Sequence, residues 1–296
     1  MKKNIIVLIL SIAFFYSAAF SEENGTVFKW LDKYKIGIRK SFDQSAKDEQ
    51  KPAAIFWGED IKNNFSYWLI DIGIKISDFE LIKNSKSSLL AYPKIEWHKD
   101  GSNREKEKNT LSAGLNLEFY PFGIQGNQQQ LVAPWFLASA NYQNDYIKGL
   151  KTIKLNGSIS LFGTNAGWPG SDIRNKDYAL VLRYYPYTGI EYYASIDSTK
   201  KYATYWASRI YFDWYPFSPK DITKQYFQIN VEITYRVKLS DNLYYKNNPY
   251  FASIAANIYP DGTDRFGFGV EYSKGNDPND SFEMAHRINI GFKIKI

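Results

Sequence analysis

Only two histidines, His98 and His286, could serve as general bases in this 296-residue chain, and it contains no cysteine. His98 shares an alternating face with Glu96 and Lys94 at the mouth of a charged loop, Lys99–Asn109, where a carboxylate could orient a base. No serine motif accompanies it. His286 stands in an apolar row between Met284 and Ile288, a place that suits an interfacial side chain better than a catalyst. Two separated histidines without a thiolate make no zinc set, and no Walker, Rossmann or EF-hand pattern is present. No cofactor or metal is expected, and the chain reads as a non-enzyme.

The more numerous chemistry is ionic. Alternate positions of extended runs carry Lys75, Lys154, Arg183, Arg209, Arg236, Arg287 and Lys293 against Asp71, Glu118, Glu191, Asp213, Glu232 and Glu271. Basic rings in a water-filled pore favour anions. Alternatively, acids and bases on neighbouring strands, such as Glu191, Arg209 and Glu232, pair across a ladder and fill a narrow lumen. For single residues the pairing reading is the stronger, while the basic excess tilts any pore toward anions.

These charges need elements that hold them all on one face, and the last strand shows how. From Phe282 to Ile296 the even positions are Phe, Met, His, Ile, Ile, Phe, Ile and Ile. The odd positions from Glu283 to Lys295 are Glu, Ala, Arg, Asn, Gly, Lys and Lys, so one face is apolar and the other polar. The same alternation marks Phe227–Leu239, Leu111–Phe119 and Ser66–Asp78, and less regularly Tyr34–Arg39, Leu89–His98, Leu131–Tyr142, Ile153–Leu161, Tyr178–Tyr185, Ile190–Ile196, Tyr202–Tyr215, Ala252–Tyr259 and Phe266–Ser273. No amphipathic helix is available to cover so many apolar faces. Lipid is the expected cover, and hydrocarbon tolerates a sheet only when it closes into a barrel.

Aromatic-proline clusters at Pro121, Pro186, Pro216 and Pro260 are expected to end strands in tight turns at one rim, the side of the C-terminus. The thirteen runs conflict with the even number of crossings of a single-chain bacterial barrel. The conflict lies between Pro121 and Pro186. Twelve strands are expected, with ten and fourteen as the neighbouring counts, and either Gly163–Lys176 conceals a strand or one of Leu131–Tyr142 and Ile153–Leu161 does not cross. Inward glycines such as Gly267 and Gly269 are expected to make room for lumen side chains.

Composition fits. Tyr, Phe and Trp make up 18% of the residues although mean hydropathy is only −0.42, the balance expected when polar lumen residues cancel apolar outward ones. Lys2 and Lys3, an apolar run to Tyr16, and Ala19 and Ser21 form a signal-peptide pattern with a cut after Ser21. The expected organisation is therefore residues 1–21 as signal and 22–296 as barrel. The formal charge of +6 is spread along the chain in both signs, which does not point to nucleic acid.

The final residues Asn289, Gly291, Ile294 and Ile296 fill the fixed positions of a pattern that resembles the C-terminal signal of bacterial outer-membrane β-barrel proteins, although phenylalanine is the commoner last residue. The resemblance is to a porin-like class and not to a single family within it. It implies an all-β, antiparallel up-and-down barrel in the outer membrane of a Gram-negative-type bacterium, with membrane lipid and the barrel-assembly machinery as partners. The functional expectation is a narrow channel for small polar solutes with slight anion preference. A filled structural or loop-presenting barrel is second, and a lipid-modifying enzyme third.

Overall fold

The computed structural model describes residues 30–295 apart from 32, 43–51, 63, 84–86, 102–107, 123–131, 164–167, 172, 176–179, 197–200, 217–224, 243–247, 261, 263–264 and 278–281. The signal-peptide segment and Ile296 lie outside the described residues. The strands are β1 (Gly37–Arg39), β2 (Ala53–Asp60), β3 (Phe65–Lys75), β4 (Phe79–Lys83), β5 (Ser88–Asp100), β6 (Lys108–Tyr120), β7 (Val132–Asp145), β8 (Leu150–Gly163), β9 (Ile173–Asn175), β10 (Leu180–Ser195), β11 (Tyr202–Tyr215), β12 (Phe227–Asp241), β13 (Tyr250–Ile258), β14 (Phe266–Asp277) and β15 (Glu283–Ile294).

Twelve of these form a closed antiparallel barrel. The sheet order runs β3, β2, β15, then back through β14 to β10, then β8 to β5, and the β5–β3 ladder closes the circle. Closure pairs every strand on both sides and leaves no open edge. The short β1, β4 and β9 pair with β3, β5 and β10 outside this circle.

The barrel is inside out compared with a water-soluble core. Along β12, Gln228, Asn230, Glu232, Thr234 and Arg236 are buried, whereas Ile233, Tyr235, Val237 and Leu239 are exposed. Strand periodicity alone produces this sorting. Large inward side chains take up much of the interior, and the inward glycines yield space to them. A Cβ on Gly267 would lie 2.6 Å from the Tyr259 ring, and one on Gly269 2.6 Å from Lys293 Cε.

The strand number is the expected twelve, but three assignments change. Tyr34–Arg39 does not cross, since only Gly37–Arg39 is extended. Ala53–Asp60 does cross, although its inward Ala54 and Phe56 give it no polar row. Tyr178–Tyr185 and Ile190–Ile196 are parts of one strand, β10, which runs straight through Pro186. The β8 ladder ends at the Tyr187–Ser160 pair, so Pro186, with no N–H to give, sits just beyond it. Removing that false turn restores the even crossing count between Pro121 and Pro216.

Pro121, Pro216 and Pro260 do follow strand ends at the rim that holds Ala53 and Ile294. That rim does not carry the short turns, however. Its connections include 121–131, 164–179 and 216–226, whereas the opposite rim has 61–64, 146–149 and 196–201. Aromatic-proline pairs stop the ladder without closing a hairpin. Within 164–179, Gly170 N–H bonds Tyr184 O and β9 is too short to cross, so neither expected way out of the odd count holds: among the described residues no crossing strand is concealed there, and Leu131–Tyr142 and Ile153–Leu161 both cross, in β7 and β8.

Two aromatic side chains enter the lumen from connections. Arg39 pairs with Gly73, and Ala54 with Asp71, so the wall resumes only two partners further along β3, and the described residues Lys40, Ser41 and Phe42 leave the ladder in an excursion between these two pairs. Phe42, on that excursion, is fully buried against Tyr92 with ring centroids 6.3 Å apart. Its N–H and the Ser41 hydroxyl both donate to Glu96 Oε1, at 2.6 and 3.0 Å, and its carbonyl accepts from Asn116. At the opposite rim Phe282, with φ of 61°, packs 5.1 Å from Tyr193 and 5.2 Å from Tyr205.

Candidate functional site

Between these aromatic inserts lies a central cavity of about 140 Å³. Its charged lining among the described residues is Lys40, Lys154, Arg209, Arg236, Arg287 and Lys293 against Asp71, Glu191, Glu232 and Glu271, a formal excess of two positive charges. Toward the C-terminal rim the interior is filled by Tyr120, Trp135, Tyr185, Tyr187 and Tyr211. Toward the other rim Tyr193, Tyr205 and Phe282 cluster. The cavity is therefore a chamber with an aromatic cluster toward each rim.

The chamber's acids are held by its bases. Arg236 donates from Nε to Glu191 Oε2 at 2.6 Å and from Nη2 to Oε1 at 3.2 Å, a forked pair with strong directional preference. Arg209 lies 3.7 Å from Glu191 and 3.5 Å from Glu232, bridging strands β10 and β12. On another wall Lys40, from the excursion, sits 3.2 Å from Asp71 and 3.3 Å from Glu271, which is also 3.9 Å from Lys293.

Nine of the thirteen predicted inward charges, Asp71, Lys154, Glu191, Arg209, Glu232, Arg236, Glu271, Arg287 and Lys293, line this chamber together. Lys154 lies over the Tyr193 ring, and Arg287 lies over Tyr67 and 3.7 Å from Asp100. The other four, Lys75, Glu118, Arg183 and Asp213, stand elsewhere, because strand periodicity sets the face but not the height; Glu118 accepts from Tyr92 OH and Tyr120 OH, each at 2.6 Å. Lys75, at the rim end of β3, pairs with Asp78 at 2.6 Å beside Tyr92. Arg183 lies over Tyr215.

Asp213 belongs to a buried amide network near the C-terminal rim. Gln228 Nε2 donates to Asp213 Oδ1 and to Tyr215 OH, each at 2.8 Å, while Gln228 Oε1 accepts from Tyr259 OH at 2.7 Å and Asn257 at 3.2 Å. Replacing Gln228 by leucine removes all four of its hydrogen bonds from this buried network. The expected loss is about 1–3 kcal/mol in equilibrium unfolding of the refolded protein.

The histidines separate as their sequence settings imply. His286 faces outward, 3.1 Å from Tyr272 OH. His98 is buried with Nδ1 2.8 Å from Asp71 Oδ1 and Nε2 3.9 Å from Glu96. The Asp71 partner was not visible in the sequence because only the β3–β5 register places it opposite His98. Nothing in the sequence marks Ser41 and Lys40 either, since no local pattern reveals that they turn inward. No group of three or more His, Cys, Asp or Glu side chains among the described residues has the arrangement of a metal site.

The C-terminal pattern lies on the β15 ladders. Asn289 accepts a hydrogen bond from Tyr67 OH at 2.5 Å, Gly291 packs against β2 opposite Phe56, and Ile294 pairs with Ala53 and Phe266.

No known family model and no curated protein matches the sequence. Among solved structures, a chain from work described as "Unveiling the Mechanism Behind the in-meso Crystallization of Membrane Proteins" is similar over 83% of each chain at 11% identity, with a TM-score of 0.38. At that degree of superposition the likeness carries no argument, and what stands is the fold itself: this chain is a closed, twelve-stranded antiparallel β-barrel.

Proposed function

We propose that this barrel spans the outer membrane of a Gram-negative-type bacterium and forms a narrow, anion-leaning channel for small polar solutes. The observation that carries the membrane placement is the outer surface. Ile95, Leu115, Leu155, Ile190, Ile233, Ile254, Val270 and Ile290 form an exposed aliphatic belt around the middle. Trp57, Trp68, Trp97, Tyr142 and Trp206 lie outward toward one rim, and Phe119, Phe136, Trp214 and Tyr226 toward the other. An aliphatic belt between two aromatic girdles matches the hydrocarbon and interfacial layers of a bilayer.

The channel reading is supported by the chamber's positive excess. The small chamber and the aromatic clusters at its two ends argue against a wide diffusion pore. They also keep the filled barrel as the second reading, since the chamber's acids are already paired with bases.

The test is conductance of the refolded protein in planar bilayers beside Phe282→Ala. The wild type should give small, steady steps, and removing the Phe282 ring from between Tyr193 and Tyr205 should raise their amplitude severalfold. A silent wild type with a conducting Phe282→Ala variant would replace the channel by the filled barrel. Silence from both would remove passage through this mouth altogether.

A further inference from the structure

The chamber holds more than a balanced set of ion pairs. Arg236 uses Nε and Nη2 on Glu191, but its buried Nη1 makes no hydrogen bond among the described residues. The buried Ser139 hydroxyl, also in the lining, makes none either. Buried donors are ordinarily matched, and a guanidinium N–H gains most from a charged oxygen. The nearby carboxylates are already engaged, Glu191 by both arginines and Glu232 by Arg209. Lys154, on the Tyr193 side, adds a further positive charge.

Size restricts the occupant. A cavity of about 140 Å³ resembles the roughly 150 Å³ apolar cavities that take one benzene, but this one is lined by charge. We propose that the chamber is a binding site for one small oxyanion, a short-chain carboxylate or inorganic phosphate, received by Arg236 Nη1, Ser139 Oγ and the Lys154 ammonium. The proposal rests on the channel reading in that it supplies the solute class such a channel would select. Binding itself requires only the folded barrel.

The test is calorimetric titration of the refolded full chain in detergent micelles, at constant ionic strength, with succinate, phosphate and choline in turn. Saturable, one-to-one binding of succinate or of phosphate is expected, and which of them binds identifies the source of the oxyanion. Choline should give no saturable heat. Lys154→Gln should weaken binding about tenfold, the effect of losing one charge-assisted contact. Ser139→Ala, which leaves every ion pair in place, should weaken it severalfold, and circular dichroism verifies that each variant is folded.

No saturable heat with either anion, equal binding of choline, or unchanged affinity in both folded variants would overturn the site. Binding that persists with silent bilayers would keep the site and remove the channel. Conduction without binding would do the reverse.

Discussion

Replacing Glu191 with alanine should cost the barrel about 3–5 kcal/mol of folding stability, because it strands a buried cation. Arg236 is 1% exposed and directs two donors at Glu191, and Arg209 leans on the same carboxylate. Taking away the acid does not return Arg236 to water. The guanidinium stays beside the cluster of Tyr193, Tyr205 and Phe282, with the Phe282 ring 5.6 Å away. A double variant carrying Arg236→Met as well should recover most of the loss, since the desolvation cost leaves with the charge. Denaturant titration of the two single variants and the double variant measures this coupling. Independent, additive losses would mean that the two side chains do not form a buried pair.

The second large effect lies on the outer face. Ile233 is 49% exposed at the middle of β12, and Ile233→Arg should destabilise the barrel by about 2–4 kcal/mol in lipid vesicles. For a barrel standing in water the same exchange at so exposed a position would fall within about 0.5 kcal/mol. The two settings thus differ by more than the error of an unfolding titration. A near-neutral Ile233→Arg in vesicles would contradict the lipid-facing assignment of this row.

How far the sequence reveals this architecture depends on whether an interaction is local to a strand. The two-faced alternation of Phe227–Leu239 and of the last strand was readable because its period belongs to the backbone. Pairing among Glu191, Arg209 and Glu232 was readable too, since β10, β11 and β12 are successive strands. Ala53–Asp60 escaped because Ala54 and Phe56 pack inward with Tyr67 and Leu69, which removes the polar row that marks the other strands. Pro186 misled because its tolerance depends on where the β8 ladder ends, a fact of register. The excursion that carries Lys40 and Phe42 inward joins residues distant along the chain, such as Lys40 with Glu271 and Phe42 with Asn116. No local pattern encodes those contacts.

The central claim is that lipid, and not water, covers the outer face of this inside-out barrel, and two adjacent residues of β13 test it most directly. Ser253 lines the chamber, whereas Ile254 points outward and is 48% exposed. Because the chain has no cysteine of its own, Ser253→Cys and Ile254→Cys each give a single labelling site for an environment-sensitive dye. In reconstituted vesicles the dye at 254 should fluoresce as in hydrocarbon, be quenched by brominated lipid and resist iodide in the buffer. The dye at 253 should escape the brominated lipid. Iodide quenching at 254, with no effect of brominated lipid there, would contradict the membrane barrel.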